Sequence, residues 1–146
     1  MAYTAQVTNL TQNPFDSWKS IVISLYMTLV GYGVLVGIPV ISTAWVTLLG
    51  FSEVEVGRVA GADLGGLSVG AVITAALIAK TSRRMLALIG LFIAVIANWF
   101  CISIVDYETV LWLRALSGVG SGIFTAVAVS SLGASSKPAL AYNAML

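Results

Sequence analysis

Four apolar stretches, at residues 20–49, 57–79, 85–105 and 109–132, dominate the chain. Each reaches about the 20 residues that an α-helix needs to cross the hydrocarbon core of a bilayer. Lipid offers the backbone no hydrogen-bond partners, so runs of this length are forced to satisfy their own amides as helices. The expected fold is therefore an all-α membrane protein with four transmembrane helices. Composition agrees, with 59% hydrophobic and 9% charged residues. The first run is long for a bilayer, about 45 Å as a helix, and tilt or a kink at Pro39 would absorb the excess. Residues 1–19 are polar and lack the basic start of a cleaved leader, so they read as a tail. After the fourth run, "GASSKP" is a turn, and "PALAYNAML", from residue 138, begins a new apolar stretch. Too short to cross a bilayer, it reads as the start of a fifth span, within which the chain is expected to be cut off.

The connections sort by charge. Lys19 precedes the first span, Lys80, Arg83 and Arg84 lie between the second and third, and Lys137 follows the fourth. The alternate connections carry Glu53, Glu55, Asp106 and Glu108 against the lone Arg58. Basic residues in short loops mark the cytoplasmic side. The expected placement is a plasma or bacterial-type inner membrane, with residues 1–19 as a cytoplasmic tail. Trp18, Trp45, Phe51, Trp99 and Trp112 fall near span ends, where aromatic rings anchor helices at the interface.

Several chemistries are excluded. The chain has no histidine and one cysteine, Cys101, so it offers no zinc-type ligand spacing, no imidazole base and no internal disulfide. A net charge of +1 gives no footprint for nucleic acid. "GVGSG" lies inside a span and lacks a P-loop lysine, which argues against a nucleotide phosphate cradle. No catalytic constellation and no cofactor site emerges.

What remains is polar character inside the spans. On the fourth, Arg114, Ser117, Ser121 and Thr125 recur at steps of three and four and share one helical face. Ser24, Thr28 and Tyr32 form a comparable stripe on the first. A charge in hydrocarbon costs several kcal/mol, about 3 on translocon scales, so Arg114 needs water, a partner or a task. The expectation is that it heads a hydrated path continued by the hydroxyls; simple snorkelling to the interface is the rival reading. Asp63, the one carboxylate well inside a span, lies at a depth from which it can meet either Arg114 or Arg58. Gly118 and Gly122 on the fourth span, and Gly57, Gly61 and Gly65 followed by Gly66 and Gly70 on the second, have the i, i+4 spacing of close helix packing, and for the second span a sliding or rocking surface is the sharper reading. The third span offers mainly Asn98 and reads as the most lipid-facing.

"RALSGVGSG" and "ALIAKTSRR" together resemble two motifs of the major facilitator superfamily. The fourth-helix pattern R-x-x-x-G-x-G-x-G is matched at every fixed place by Arg114, Gly118, Gly120 and Gly122. The loop pattern G-x-x-x-D-R-x-G-R-R is matched at its basic places by Lys80, Arg83 and Arg84, while Ala75, Ala79 and Ser82 replace the first glycine, the aspartate and the second glycine. The resemblance implies that residues 20–146 are part of an N-terminal six-helix half, built from inverted three-helix repeats, with "GYG" at 31–33 echoing "GVG" at 118–120. It implies a small-molecule substrate, the lipid bilayer and the carrier's remaining helices as partners, and first and fourth helices that both line the substrate path. It also implies a gating or packing role for the motif glycines and for the loop cluster of Lys80, Arg83 and Arg84.

The leading expectation is a secondary active transporter of a small solute by alternating access, with protons as a candidate coupling ion and Asp63 as the candidate coupling group. One alternative is a complete four-helix oligomeric carrier like the small multidrug exporters, although those use a glutamate in the first span, and residues 20–49 hold no carboxylate. The other is a membrane assembly protein without transport, for which glycine packing alone would suffice. Arg114 belongs to the superfamily pattern and does not by itself announce an anionic substrate.

Overall fold

The computed structural model describes residues 13–145, with the side chains of Val34 and Leu35 outside that description. Residues 1–12 of the expected cytoplasmic tail lie outside the described residues. A 3-10 turn at Pro14–Asp16 leads into α1 (Trp18–Leu49), α2 (Glu53–Leu77), α3 (Arg83–Cys101), α4 (Tyr107–Gly133) and a short α5 (Pro138–Asn143). The first four are long and apolar enough to cross a membrane. No strand occurs among the described residues.

Local chemistry sets the helix ends. Gly50, at φ 70°, closes α1 in the left-handed conformation that favours glycine. Ser52 and Glu55 then form a capping box: the Ser52 amide donates to Glu55 Oε2 at 2.8 Å, and the Glu55 amide donates to Ser52 Oγ at 3.3 Å. Helix α2 thus starts at Glu53, which places Glu53 and Glu55 in its first turn, where the helix dipole favours anions. Ser82 caps α3 and Asp106 caps α4, each accepting from the amide three residues on. Two hydrogen bonds from Thr109 hold the Asp106 carboxyl below its usual range.

Helix α4 is central: α1, α2 and α3 all pack against it. The buried side of α2 is a narrow seam of Val56, Val59, Asp63, Gly66, Gly70 and Thr74, at helical steps of three and four. Glycine brings the backbones together. A Cβ at Gly66 would strike the Ala115 carbonyl and one at Gly70 the Val119 carbonyl, while Gly118 and Gly122 meet the carbonyls of Asp63 and Leu67 in return. Gly120 points elsewhere, against Gly90 and Ala94 of α3. The G-x-G-x-G pattern of α4 therefore serves two neighbours, with its outer glycines on α2 and its middle one on α3. Gly57, Gly61 and Gly65 have open space where a Cβ would go. Of the glycine series on this helix only Gly66 and Gly70 pack against α4, because the face that carries Asp63 is the one turned to it.

Apolar clusters close both ends. Phe51, Val56, Val59 and Val110 gather under the α1–α2 and α3–α4 connections, with Phe51 and Tyr107 edge to face at 5.7 Å. Leu86, Ile123 and Val127 pack toward the opposite end. There the chain ahead of α1 is tied to the α4–α5 turn. Asn13 Nδ2 donates to the Ala134 carbonyl at 2.7 Å, and the Asp16 carboxylate accepts from the amide and hydroxyl of Ser136. Outside this core the long helices expose large apolar side chains, among them Val36, Val40, Leu88, Phe92, Trp99 and Trp112. Such a surface suits acyl chains.

Candidate functional site

Where α2, α3 and α4 meet, four polar side chains form one connected network. Asp63 lies about 15 Å along α2 from its start and Arg114 about 10 Å along α4. The glycine contacts just described bring these two helices close enough for the side chains to touch. Arg114 Nη2 lies 2.6 Å from Asp63 Oδ2, with both side chains under one-tenth exposed. Among the described residues this is the one ion pair, and the exposed Arg58 takes no part in it. Arg114 Nη1 donates to Asn98 Oδ1 at 2.7 Å, and Asn98 Nδ2 donates to Ser117 Oγ at 2.6 Å and to the Ala94 carbonyl at 2.8 Å. The guanidinium fork thus holds acceptors on two helices at once, with a fixed planar geometry that the ammonium of lysine lacks. Arg114 Nε is buried without a partner among the described residues.

This arrangement corrects the expectation of a hydrated path headed by Arg114. Arg114 and Ser117 are 4% and 0% exposed, and they face α2 and α3 rather than an open cavity. The charge is paired within the bundle. The polar stripe also divides further along. Ser121 lines a crevice of about 490 Å³ between α1, α3 and α4, together with Gly31 and Asn98. Thr125 is buried against Gly31, and its hydroxyl has no partner among the described residues. On α1, Ser24 and Thr28 are buried, and Thr28 donates back to the Ser24 carbonyl at 2.9 Å. Tyr32 is exposed and lines a separate crevice of about 640 Å³ with Tyr26, Thr28 and Met145.

Asn98 is the residue that sequence reasoning undervalued. A lone side-chain amide inside an apolar span was the available signal, since burying it unpaired is costly. Its presence also means that α3 is not apolar all round: one seam, Leu86, Gly90 and Ala97, packs inward while the rest faces out. In the loop cluster, Lys80 and Arg84 are exposed. Arg83 lies over the Phe15 ring at 4.4 Å and reaches the Ser130 carbonyl and Ser131 Oγ at 3.4 and 3.3 Å.

Four helices long and apolar enough to span a bilayer, packed around a buried ion pair, are the architecture of an integral, multi-pass membrane protein. The family model described as "Sugar (and other) transporter" matches residues 3–145, and the chain belongs to this family of the major facilitator superfamily. Its substrate is accordingly a small molecule, a sugar or another solute. No curated protein and no solved structure shows a significant match.

Proposed function

We propose that this chain works within a secondary active carrier that moves a small solute by alternating access, with Asp63 as the group that couples transport to protons. The observation that carries the reading is the Asp63–Arg114 pair sealed between α2 and α4 and tethered to α3 through Asn98. A carboxylate buried on a glycine-smoothed helix interface is costly unless its charge is matched. Protonating Asp63 cancels its attraction for Arg114 and leaves the guanidinium held by Asn98 alone. The freed Nη2 and the unpartnered Nε can then turn to a substrate oxygen or to water, and α2 is released to shift along its glycine contacts with α4. The reverse step expels the proton as the pair re-forms. Ser121, Thr125, Ser24, Thr28 and Tyr32 supply hydroxyls along α1 and α4 for a polyhydroxy solute once that shift opens the path. The helices that complete the carrier, its remaining partners, bring the other half of a midplane site. The N-terminal side of α1 faces the cytoplasm, as the basic connections direct.

The test is uptake of a panel of labelled monosaccharides into proteoliposomes holding the carrier, with and without an inward proton gradient. Asp63→Asn is expected to abolish gradient-driven accumulation while sparing exchange of labelled for unlabelled solute. Accumulation at the unmodified level by Asp63→Asn would remove Asp63 from coupling.

A further inference from the structure

At the end of the bundle away from the ion pair, about 25 Å along α4 from Arg114, lies a crevice of about 530 Å³ between the Pro14–Asp16 turn, α1, the start of α3 and the end of α4. Its polar wall is basic and hydroxylic: Arg83, Arg84, Ser20, Ser82 and Ser131 line it, and no acidic side chain does. Ser24 lines it too. That side chain is 5% exposed. The deeper wall is apolar, with Met27, Ala87 and Val127. Exposed Ile23 continues the apolar wall to the outside.

The charges here are uncompensated by the protein. Arg83 and Arg84 occupy the first two positions of α3, whose first turn holds no acid. Cations at that end oppose the helix dipole, whereas an anion is favoured by it and by the free amides. Asp16, the nearest carboxylate in the turn, is committed to Ser136. Arg83 is held in place by Phe15 and by two long hydrogen bonds, while Arg84 is exposed and in no ion pair.

We infer that this crevice binds the phosphate headgroup of an anionic phospholipid. The two guanidiniums and the hydroxyls take the phosphate oxygens, and the acyl chains leave past Ile23 onto the apolar outer face. A basic pocket between helices at the membrane surface has the chemistry for such a headgroup. The apolar depth and apolar exit favour a lipid over free phosphate. The site is independent of proton coupling, and its assay does not require a known orientation.

The experiment is native mass spectrometry of the protein released from micelles, titrated separately with dioleoyl phosphatidylglycerol, dioleoyl phosphatidylcholine and inorganic phosphate. The unmodified protein is expected to prefer phosphatidylglycerol over phosphatidylcholine by about tenfold or more. Arg84→Gln weakens phosphatidylglycerol binding about fivefold, and Arg83→Gln with Arg84→Gln by about twenty-fivefold, while Arg58→Gln leaves it unchanged. Because Arg84 is exposed and unpaired, its single variant reports binding without a folding defect. Equal binding of the two lipids, or an equal loss in Arg58→Gln, overturns the inference. Displacement of phosphatidylglycerol by millimolar inorganic phosphate also overturns it, assigning the crevice to a soluble anion.

Discussion

Arg114 is a charged residue whose cost in the membrane is met by geometry. Its fork reaches Asp63 on α2 and Asn98 on α3, so each replacement removes something different. Arg114→Lys keeps the charge but loses the planar fork that spans Asp63 and Asn98; it is expected to lower stability by about 1–2 kcal/mol, the range of interhelical hydrogen bonds in membranes. Asp63→Ala strands the guanidinium and is expected to cost about 3 kcal/mol, with the double variant Asp63→Ala/Arg114→Ala recovering part of the loss. Thermal unfolding in detergent, analysed as a double-mutant cycle, measures both. Full additivity of the two single variants would contradict the ion pair. That Arg114 needed a partner was legible in its position. That the partner is Asp63 was not, because Asp63 could as well meet Arg58 on its own helix, and only the rotation of α2 decides between the two.

For an element, the glycine registers matter most. Helix α2 carries two sets: Gly57, Gly61 and Gly65 face open space, whereas Gly66 and Gly70 touch the α4 backbone. Gly70→Ala and Gly118→Ala each place a Cβ against a carbonyl and are expected to destabilise by about 1–3 kcal/mol. Gly61→Ala and Gly65→Ala meet nothing; alanine's better helix propensity makes them neutral or stabilising by up to about 1 kcal/mol. The same thermal assay separates the sets, and equal losses in both would show that the open face is covered. Small-residue spacing marks a face on the chain, but both sets have comparable spacing. Only the position of α4 distinguishes them.

Across the whole molecule, the basic ends of α1 and α3 gather on one side with the α4–α5 turn. Single cysteines at position 82, with Cys101 replaced, are expected to resist an impermeant external thiol reagent, while cysteines at position 54 react; the opposite pattern would invert the topology. On that same side of the bundle, hydrogen bonds from the Ser136 hydroxyl and amide hold the Asp16 carboxyl below its ordinary range. A depressed carboxylate stabilises above its unfolded pKa, and the contribution is lost as pH falls through the lowered native value. Asp16→Asn should therefore speed amide exchange around Ser136 at neutral pH and should mimic the strongly acidic unmodified protein. No change in exchange would show that the tie is incidental. By itself, the sequence determined the number of spanning helices and the sorting of their charges. Those follow from hydrocarbon solvation and backbone satisfaction, which act along a single segment. Only the tertiary structure decided that the polar stripe of α4 turns inward, that Asn98 bridges Arg114 to Ser117, and that the second glycine set of α2 is the one that packs. Lipid rewards any apolar face equally, so the rotation of each helix is chosen by interhelical fit and polar pairing, which no single segment contains.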